Sequence, residues 1–269
     1  MQSVEVIRVG AGTAERARDA AAAEEPLEIR LEGSPFVVTM RTPGADRELA
    51  AGFLLSEGLI TSADDLGTIR HCGSESAGTE GNVVDVTLAG AASARVEAAL
   101  ASRRLVVATA ACGVCGRRSI DDLMTNLPPI VAEWSMPAAV VATLPGRLRD
   151  AQSVFDETGG LHAAGLFDRS GALVVIAEDV GRHNAVDKAI GSQLLAERWP
   201  LGDTALFVSG RTSFEIVQKA VVAGIPLVAA VSAPSSLAIE LARAANLTLL
   251  GFVRGDTFNI YAGEQRILL

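Results

Sequence analysis

The two halves of the chain differ in how hydrophobic and polar residues alternate. In the first half, residues 4–9 alternate with a period of two, which predicts a strand. Residues 11–25 are rich in Ala, Glu and Arg without an apolar stripe, and they predict a loop or tail. Residues 27–31 and 36–41 flank the turn residues 32–35, which is the pattern of a β-hairpin. This half is therefore predicted to begin with short strands.

Three further elements are predicted before the middle of the chain. An apolar stripe along residues 46–56 predicts a helix that ends near Gly58. Residues 83–88 predict a strand, and the alanine-rich residues 93–102 predict a short helix. The first half is therefore expected to mix strands with helices.

The second half alternates short apolar strands with helices. The predicted strands are residues 163–167, 172–178, 205–208, 227–231, 247–253 and 258–261, and the predicted helices are residues 184–197, 212–223 and 235–245, the last with Ser235 as its N-cap. The first two strands are expected to pair across the turn at residues 168–171. The later β-α-β-α-β order predicts a parallel or mixed sheet with helices on its faces.

A proline-rich stretch separates the two patterns. Pro128, Pro129 and Pro137 follow one another closely, and proline commonly marks breaks between elements. We therefore predict a domain boundary near residue 125, with a smaller mixed β/α domain at residues 1–125 and a larger domain at residues 126–269. The predicted class is α/β, or α+β for the chain as a whole.

The charge and composition of the chain narrow the classes of function. The formal net charge is −9, so a general DNA- or RNA-binding protein is not expected, because phosphate contacts dominate that affinity. Aromatic residues make up only 4%, so the core must be built from aliphatic side chains. No run of 18 apolar residues occurs and the first residues lack a signal-peptide pattern, so we expect a cytoplasmic protein without a membrane span.

The motif Cys112-Gly-Val-Cys115 contains two of the three cysteines of the chain, the third being Cys72. Its glycines place both sulfurs on an exposed turn, and the spacing fits half of a zinc site, a thioredoxin-like redox pair or sulfur transfer. Zinc needs four ligands, and only Cys72 and three histidines are left to complete such a site. We therefore expect no permanently bound metal.

Arginines surround this motif. Four of them and no acidic residue occur between residues 103 and 118: Arg103, Arg104, Arg117 and Arg118. Neighbouring cations favour the thiolate, which is the nucleophilic form of cysteine, and they attract phosphate-bearing ligands. The alternative, that these arginines only solvate the loop, is left open by the local sequence.

Three loops of the second half are predicted to lie at one edge of the sheet, because each follows a strand and opens a helix. They are residues 181–183, 209–213 and 232–236. Ligands of open α/β sheets bind at this edge, and helix N-termini offer free N–H groups to anions. We therefore predict a pocket for an anionic, nucleotide-like ligand. The residues predicted to form it are Arg182, His183, Ser209, Arg211 and Ser213.

Six motifs occur along the chain in a fixed order. They are Arg47-Glu-Leu followed by Gly52-Phe-Leu-Leu-Ser-Glu-Gly58, Cys112-Gly-Val-Cys-Gly116, Thr158-Gly-Gly-Leu-His-Ala-Ala164, Glu178-Asp-Val-Gly-Arg-His-Asn-Ala-Val-Asp-Lys188, Ser209-Gly-Arg-Thr-Ser213 and Gly251-Phe-Val-Arg254. Together they resemble the formate dehydrogenase accessory sulfurtransferase family (FdhD). The resemblance extends over about residues 28–267, which is nearly the whole chain.

This resemblance implies a sulfurtransferase. Such a protein accepts sulfur from a cysteine desulfurase as a cysteine persulfide. It passes the sulfur to the molybdenum bis(molybdopterin guanine dinucleotide) cofactor, which formate dehydrogenase requires. The resemblance implies a homodimer, with Cys112 as the persulfide cysteine and Cys115 as its partner. It also implies contacts with the guanine dinucleotide from Phe252, Val253, Arg254, Gly255, Asp256 and Thr257.

The resemblance further implies a three-layer C-terminal domain like that of cytidine deaminase. Zinc deaminases use His-x-Glu and a later Pro-Cys-x-x-Cys. Here Ala164 stands where that glutamate would be, and Cys112 and Cys115 precede His162 instead of following it. A zinc-dependent deaminase-like hydrolase is therefore disfavoured. The remaining alternative is a chaperone that binds the molybdenum cofactor without transferring sulfur.

Overall fold

Four stretches of the chain are described by the computed structural model: residues 1–10, 12–73, 81–103 and 129–269, without the side chains of residues 97–103. They form a two-stranded hairpin, a four-stranded sheet, a six-stranded sheet and a short parallel pair of strands, with helices packed between and around the two larger sheets. Among the helices of these stretches, none has the length and apolar character needed to cross a bilayer.

The hairpin consists of β1 (Gln2–Gly10) and β2 (Thr13–Ala21), paired antiparallel along their whole length. It confirms the strand predicted at residues 4–9, whereas the loop or tail predicted for residues 11–25 is wrong over residues 13–21. The reason is that both faces of β2 are largely exposed. Main-chain hydrogen bonds to β1 hold this strand in place. Because neither face is buried in a core, the sequence does not alternate apolar and polar residues.

The four-stranded sheet has the order β4-β3-β6-β5 and mixes parallel and antiparallel pairs. Its elements are β3 (Glu25–Leu31), β4 (Ser34–Arg41), β5 (Leu66–His71), β6 (Val83–Leu88), α1 (Asp46–Ser56), α2 (Gly90–Arg103) and a 3₁₀ turn at Ala63–Asp65. Leu27, Ile29 and Leu31 are fully buried on one face of β3, as its alternating pattern requires. The predicted hairpin, the helix at residues 46–56 and the strand at residues 83–88 are confirmed.

The six-stranded sheet has the order β13-β12-β11-β10-β8-β9. Strands β10, β11 and β12 are parallel, and β8 is antiparallel to both of its neighbours. The elements of this half are β7 (Met136–Pro137), α3 (Ala138–Asp150), α4 (Ser153–Thr158), β8 (His162–Asp168), β9 (Leu173–Asp179), α5 (Arg182–Leu195), β10 (Thr204–Val208), α6 (Phe214–Val222), β11 (Leu227–Ala230), α7 (Ser236–Ala244), β12 (Thr248–Arg254), β13 (Thr257–Ala262), a 3₁₀ turn at Glu264–Arg266 and β14 (Ile267–Leu268).

Two hydrophobic cores lie on opposite faces of this sheet. Helices α5, α6 and α7 share one core with α1 and the four-stranded sheet, while α3 packs into the other core around Phe167 and Phe207. Helices therefore cover both faces of the sheet, which confirms the predicted α/β class. The relation to the cytidine deaminase fold stays a prediction. The same holds for the division near residue 125, which falls outside the described residues.

Helices α1 and α5 pack so closely that backbone meets backbone. A Cβ atom added at Gly52 would lie 2.0 Å from the carbonyl oxygen of Asp187, and one added at Gly191 would lie 1.9 Å from that of Glu48. Only glycine fits at these two positions, because any side chain would force the helices apart. This contact joins the first half of the chain to the central sheet.

Substituting either glycine by alanine is therefore expected to destabilise the protein. We predict that Gly52→Ala lowers the free energy of unfolding by about 2–4 kcal/mol, measured by urea denaturation, since the helix pair must separate. The matched control is Gly146→Ala in α3, where an added Cβ meets no atom within 4 Å. That variant should be neutral or slightly more stable, because alanine favours helix. Equal stability of the two variants would contradict the close contact.

Candidate functional site

One edge of the six-stranded sheet gathers the loops that the sequence analysis singled out. Strands β9 to β12 run in the same direction, so their carboxyl ends meet at this edge, where β8 begins at His162. Ser209 is tied to Ala163 of β8, accepting from its N–H through Oγ at 2.8 Å. A bridge joins Thr212 to Pro234. The structure thus brings the three predicted loops together.

His183 lies in the first turn of α5, with Gly181 as the N-cap. Its Nε2 is 3.1 Å from the hydroxyl of Ser213 and 3.2 Å from the Glu215 carboxylate. Burial, followed by the nearby cations of Arg182 and Lys219, lowers the pKa of His183 to about 3. The imidazole is therefore neutral at pH 7, so its contact with Glu215 is not an ion pair.

A buried ionic network contacts His183 through Glu215. Lys219 donates to both carboxylate oxygens of Asp187 at 2.9 Å, and Ser56 of α1 donates to the same carboxylate at 2.9 Å. Burial alone would lower the pKa of Lys219, but the carboxylates of Asp187 and Glu215 outweigh it and raise that pKa. The ammonium therefore stays charged, and it fixes α6 against α5 beneath the edge.

A second buried pair fixes the loop between β9 and α5. Asp179 is fully buried, accepts from Gly181 N–H at 2.8 Å and forms an ion pair with Lys188 Nζ at 2.7 Å. The same carboxylate accepts from the N–H of Thr42, which follows β4. The first half of the chain thus holds the loop that presents Arg182. Sequence reasoning missed this role, although Asp179 and Lys188 lie in one of the six motifs.

Two polar atoms at this edge are buried without a hydrogen-bond partner in the described part of the chain: Arg182 Nε and Thr212 Oγ1. Thr212 is only 1% exposed. Leaving a buried donor unpaired costs about 1–3 kcal/mol, so such atoms mark places where a ligand can bind. The side chains of Arg182 and His162 both lie close to Gly210. An anion with several acceptor oxygens fits these donors.

The end of β12 lies beside the same edge. Phe252 has a left-handed backbone (φ 55°) and is 39% exposed, while its N–H donates to Ser232 O at 3.2 Å. A non-glycine residue in that conformation is uncommon and often marks a functional position. The Arg254 guanidinium lies 5.9 Å from the Phe252 ring centre. Together they present an exposed aromatic face and a positive charge.

The other predicted residues of this region differ in what they can offer a ligand. The side chain of Val253 is fully buried in the core, so only its main chain is available. Gly255, Asp256 and Thr257 are exposed at the tip of the turn, and Arg211 is exposed at the start of the 209–213 loop. Arg211 and Arg254 therefore supply positive charge at the rim, where solvent screens it.

The residues predicted to carry sulfur lie outside the described part of the chain. Cys112 and Cys115 fall there together with Arg104, Arg117 and Arg118, and the side chain of Arg103 is not described either. Cys72, at the end of β5, is a free cysteine. Within the described ranges, no group of three or more His, Cys, Asp or Glu side chains could hold a metal ion. That finding does not extend to the cysteine pair.

A family model matches almost the whole chain. The match is to the FdhD/NarQ family and spans residues 22–268. The chain belongs to the FdhD/NarQ family. The resemblance drawn from the six motifs is therefore confirmed.

Individual members of this family agree with that assignment. The sulfur carrier protein FdhD of Anaeromyxobacter dehalogenans is 54% identical over 93% of this chain and 89% of its own length. The protein of the same name from Streptomyces avermitilis is 51% identical over 98% of this chain and 94% of its own. A solved structure from Desulfotalea psychrophila, described as a formate dehydrogenase accessory protein, superposes with a TM-score of 0.78 at 25% identity. It covers 99% of both chains.

The low pKa of His183 predicts how stability depends on pH. The unfolded chain takes up this proton near pH 6.5 and the folded chain only near pH 3. The stabilisation is therefore present above pH 6.5 and is lost as the pH falls towards 3. We predict that His183→Gln loses less stability than the parent between pH 7 and pH 5, measured by urea denaturation.

A matched control removes a partner of the ring while keeping the titrating group. Ser213→Ala should retain the parent's loss of stability between pH 7 and pH 5. Histidine NMR should show the His183 ring neutral at pH 5 in the parent. A ring that protonates near pH 6.5 would contradict the burial and charge argument.

Proposed function

We propose that this protein is a sulfur carrier for formate dehydrogenase. It takes sulfur from a cysteine desulfurase as a persulfide on Cys112 and delivers it to the molybdenum bis(molybdopterin guanine dinucleotide) cofactor. It acts in the cytoplasm as a homodimer. The observation that carries the proposal is about 50% identity, over nearly the whole chain, with proteins named sulfur carrier protein FdhD.

The sheet edge supports the cofactor-binding part of the proposal. The cofactor is the substrate here, and its guanine dinucleotide arms carry phosphates. Phosphate oxygens would satisfy the unpaired Arg182 Nε and Thr212 Oγ1, and Arg211 would add charge at the rim. The first turns of α5 and α6 offer backbone N–H groups to the same anions. Phe252 and Arg254 provide an aromatic face and a cation beside them.

The first chemical step needs no oxidant. The Cys112 thiolate attacks the outer sulfur of the desulfurase persulfide, a new S–S bond forms, and the desulfurase cysteine leaves as a thiolate. The arginines at positions 103, 104, 117 and 118 would favour the anionic form of the resulting persulfide. Cys115, three residues away, is the candidate for assisting release of the sulfur.

Removing the nucleophile tests this step. We predict that Cys112→Ala accepts no labelled sulfur from a desulfurase with cysteine, and that it does not activate formate dehydrogenase. Mass spectrometry of the parent should show one added sulfur on the peptide of residues 105–117. Cys72→Ala is the matched control and should take up sulfur like the parent.

The same mass-spectrometric measurement distinguishes a sulfur carrier from a chaperone that binds the cofactor without transferring sulfur. The edge donors would bind the cofactor whether or not sulfur is transferred. If the parent gains no sulfur on residues 105–117 but still binds a guanine nucleotide, the chaperone is favoured and the sulfur carrier is rejected. Uptake by Cys112→Ala equal to that of the parent would reject the assignment of Cys112 alone.

Removing the Arg182 guanidinium, whose Nε is unpaired, tests the anion site. A hydrogen bond from a charged group contributes about 1.5–3 kcal/mol, so Arg182→Met should weaken binding of guanosine diphosphate by about 10- to 100-fold in calorimetry. The matched control is Arg169→Met, in the turn between β8 and β9, where Arg169 pairs with Asp203. That variant should bind like the parent. Equal affinity of both variants would contradict the anion site.

A further inference from the structure

Thr42, the residue that follows β4, has three polar atoms, and all three bond to the region where α5 begins. Its N–H donates to Asp179 Oδ2 at 3.1 Å, and its hydroxyl oxygen accepts from the N–H of Val180 at 3.1 Å. Its carbonyl oxygen accepts from Lys188 Nζ at 2.7 Å. A single residue of the first half therefore bonds both to the loop between β9 and α5 and to α5 itself.

The loop residues that Thr42 binds stand directly before Arg182. The N–H of Val180 bonds to the Thr42 hydroxyl, and the N–H of Gly181 donates at 2.8 Å to the carboxylate of Asp179, which Thr42 also binds. Two consecutive residues of the backbone that leads into Arg182 are thus fixed. Arg182 Nε is buried at this edge and has no partner in the described part of the chain.

The same end of β4 also holds the residue that comes two positions after Arg182. Asn184, in the first turn of α5, donates from Nδ2 to the carbonyl oxygen of Met40 at 2.7 Å and to Asp179 Oδ1 at 3.0 Å. The end of β4 therefore contacts the chain on both sides of Arg182. A side chain whose backbone is held on both sides loses less freedom when it binds a ligand.

Thr42 is itself fixed by its two neighbours in the chain. Arg41 is only 1% exposed, and its guanidinium donates to both carboxylate oxygens of Asp46 at 3.0 and 3.1 Å and to Asn82 Oδ1 at 2.9 Å. Pro43 follows, and a residue before proline is restricted to extended backbone. Thr42 therefore has little freedom to adapt to the loop, so its contacts determine where the loop lies.

We propose that Thr42 is a positioning residue of the anion site, which sets the affinity for phosphate groups through the placement of Arg182. Its own hydroxyl bonds to the protein backbone and does not contact the ligand. The inference rests on the anion site of the proposed function. It adds to that site a residue of the first half, which lies outside the six motifs and outside the three loops of the edge.

Calorimetry with inorganic pyrophosphate tests the proposal. Thr42→Val keeps the shape of the side chain and removes its hydroxyl, so the N–H of Val180 loses its acceptor. We expect pyrophosphate to bind about three- to tenfold more weakly, which corresponds to one neutral hydrogen bond. Thr42→Ser keeps the hydroxyl and should bind pyrophosphate like the parent.

A double-mutant cycle shows whether the effect passes through Arg182. In a chain that already carries Arg182→Met, adding Thr42→Val should cause no further loss of pyrophosphate affinity, because the group that it positions is gone. The control for a purely structural loss is Thr68→Val in the four-stranded sheet, where the Thr68 hydroxyl lies 3.0 Å from that of Thr87. That variant should be less stable in urea and should keep the affinity of the parent.

The outcomes separate the inference from the proposed function. If Thr42→Val binds pyrophosphate like the parent while Arg182→Met binds it more weakly, the inference is overturned and the anion site stands. The inference is also overturned if Thr42→Val has the same effect with and without the Arg182 side chain, or if Thr68→Val weakens binding as much. If the parent does not bind pyrophosphate, or if Arg182→Met binds it like the parent, the anion site fails and the inference fails with it.

Discussion

The backbone contact between α1 and α5 is the constraint on which the rest of this structure depends. Gly52 and Gly191 allow the two helices to approach until carbonyl oxygens occupy the space of a side chain. The contact brings Ser56 of α1 within hydrogen-bond distance of Asp187. Because Asp187 in turn holds Lys219, the same contact sets the position of α6 and of the loop before it.

Buried ion pairs and hydrogen bonds hold the polar groups of the edge in place. Asp179 is bound by Lys188 and by Thr42 of the first half, and it fixes the loop that carries Arg182. Glu215 and Ser213 contact His183, which stays neutral at pH 7 because it is buried beside cations. Such preorganised donors need little rearrangement when an anion binds, so an anion site can form locally in a chain of net charge −9.

Local patterns predicted most of the strands and helices, because apolar periodicity and caps are local properties. Ser235 caps α7 as predicted, accepting from Ala238 N–H. Residues 13–21 were missed because an exposed strand has no buried face to give it a pattern. The gathering of Arg182, Ser209 and Ser213 at one edge followed from strand order. The pairing of Asp187 with Lys219, 32 residues apart, and the bonds of Thr42 to the loop before α5 depend on tertiary packing, which spacing along the chain does not encode.

We propose that the carboxyl edge of the six-stranded sheet holds the guanine nucleotide part of the cofactor. A crystal structure of the protein with guanosine diphosphate tests this most directly. We expect phosphate oxygens within hydrogen-bond distance of the Arg182 guanidinium and of backbone N–H groups at residues 209–213. A nucleotide bound away from this edge, for example on the four-stranded sheet, with Arg182 and Thr212 still unpaired, would contradict it.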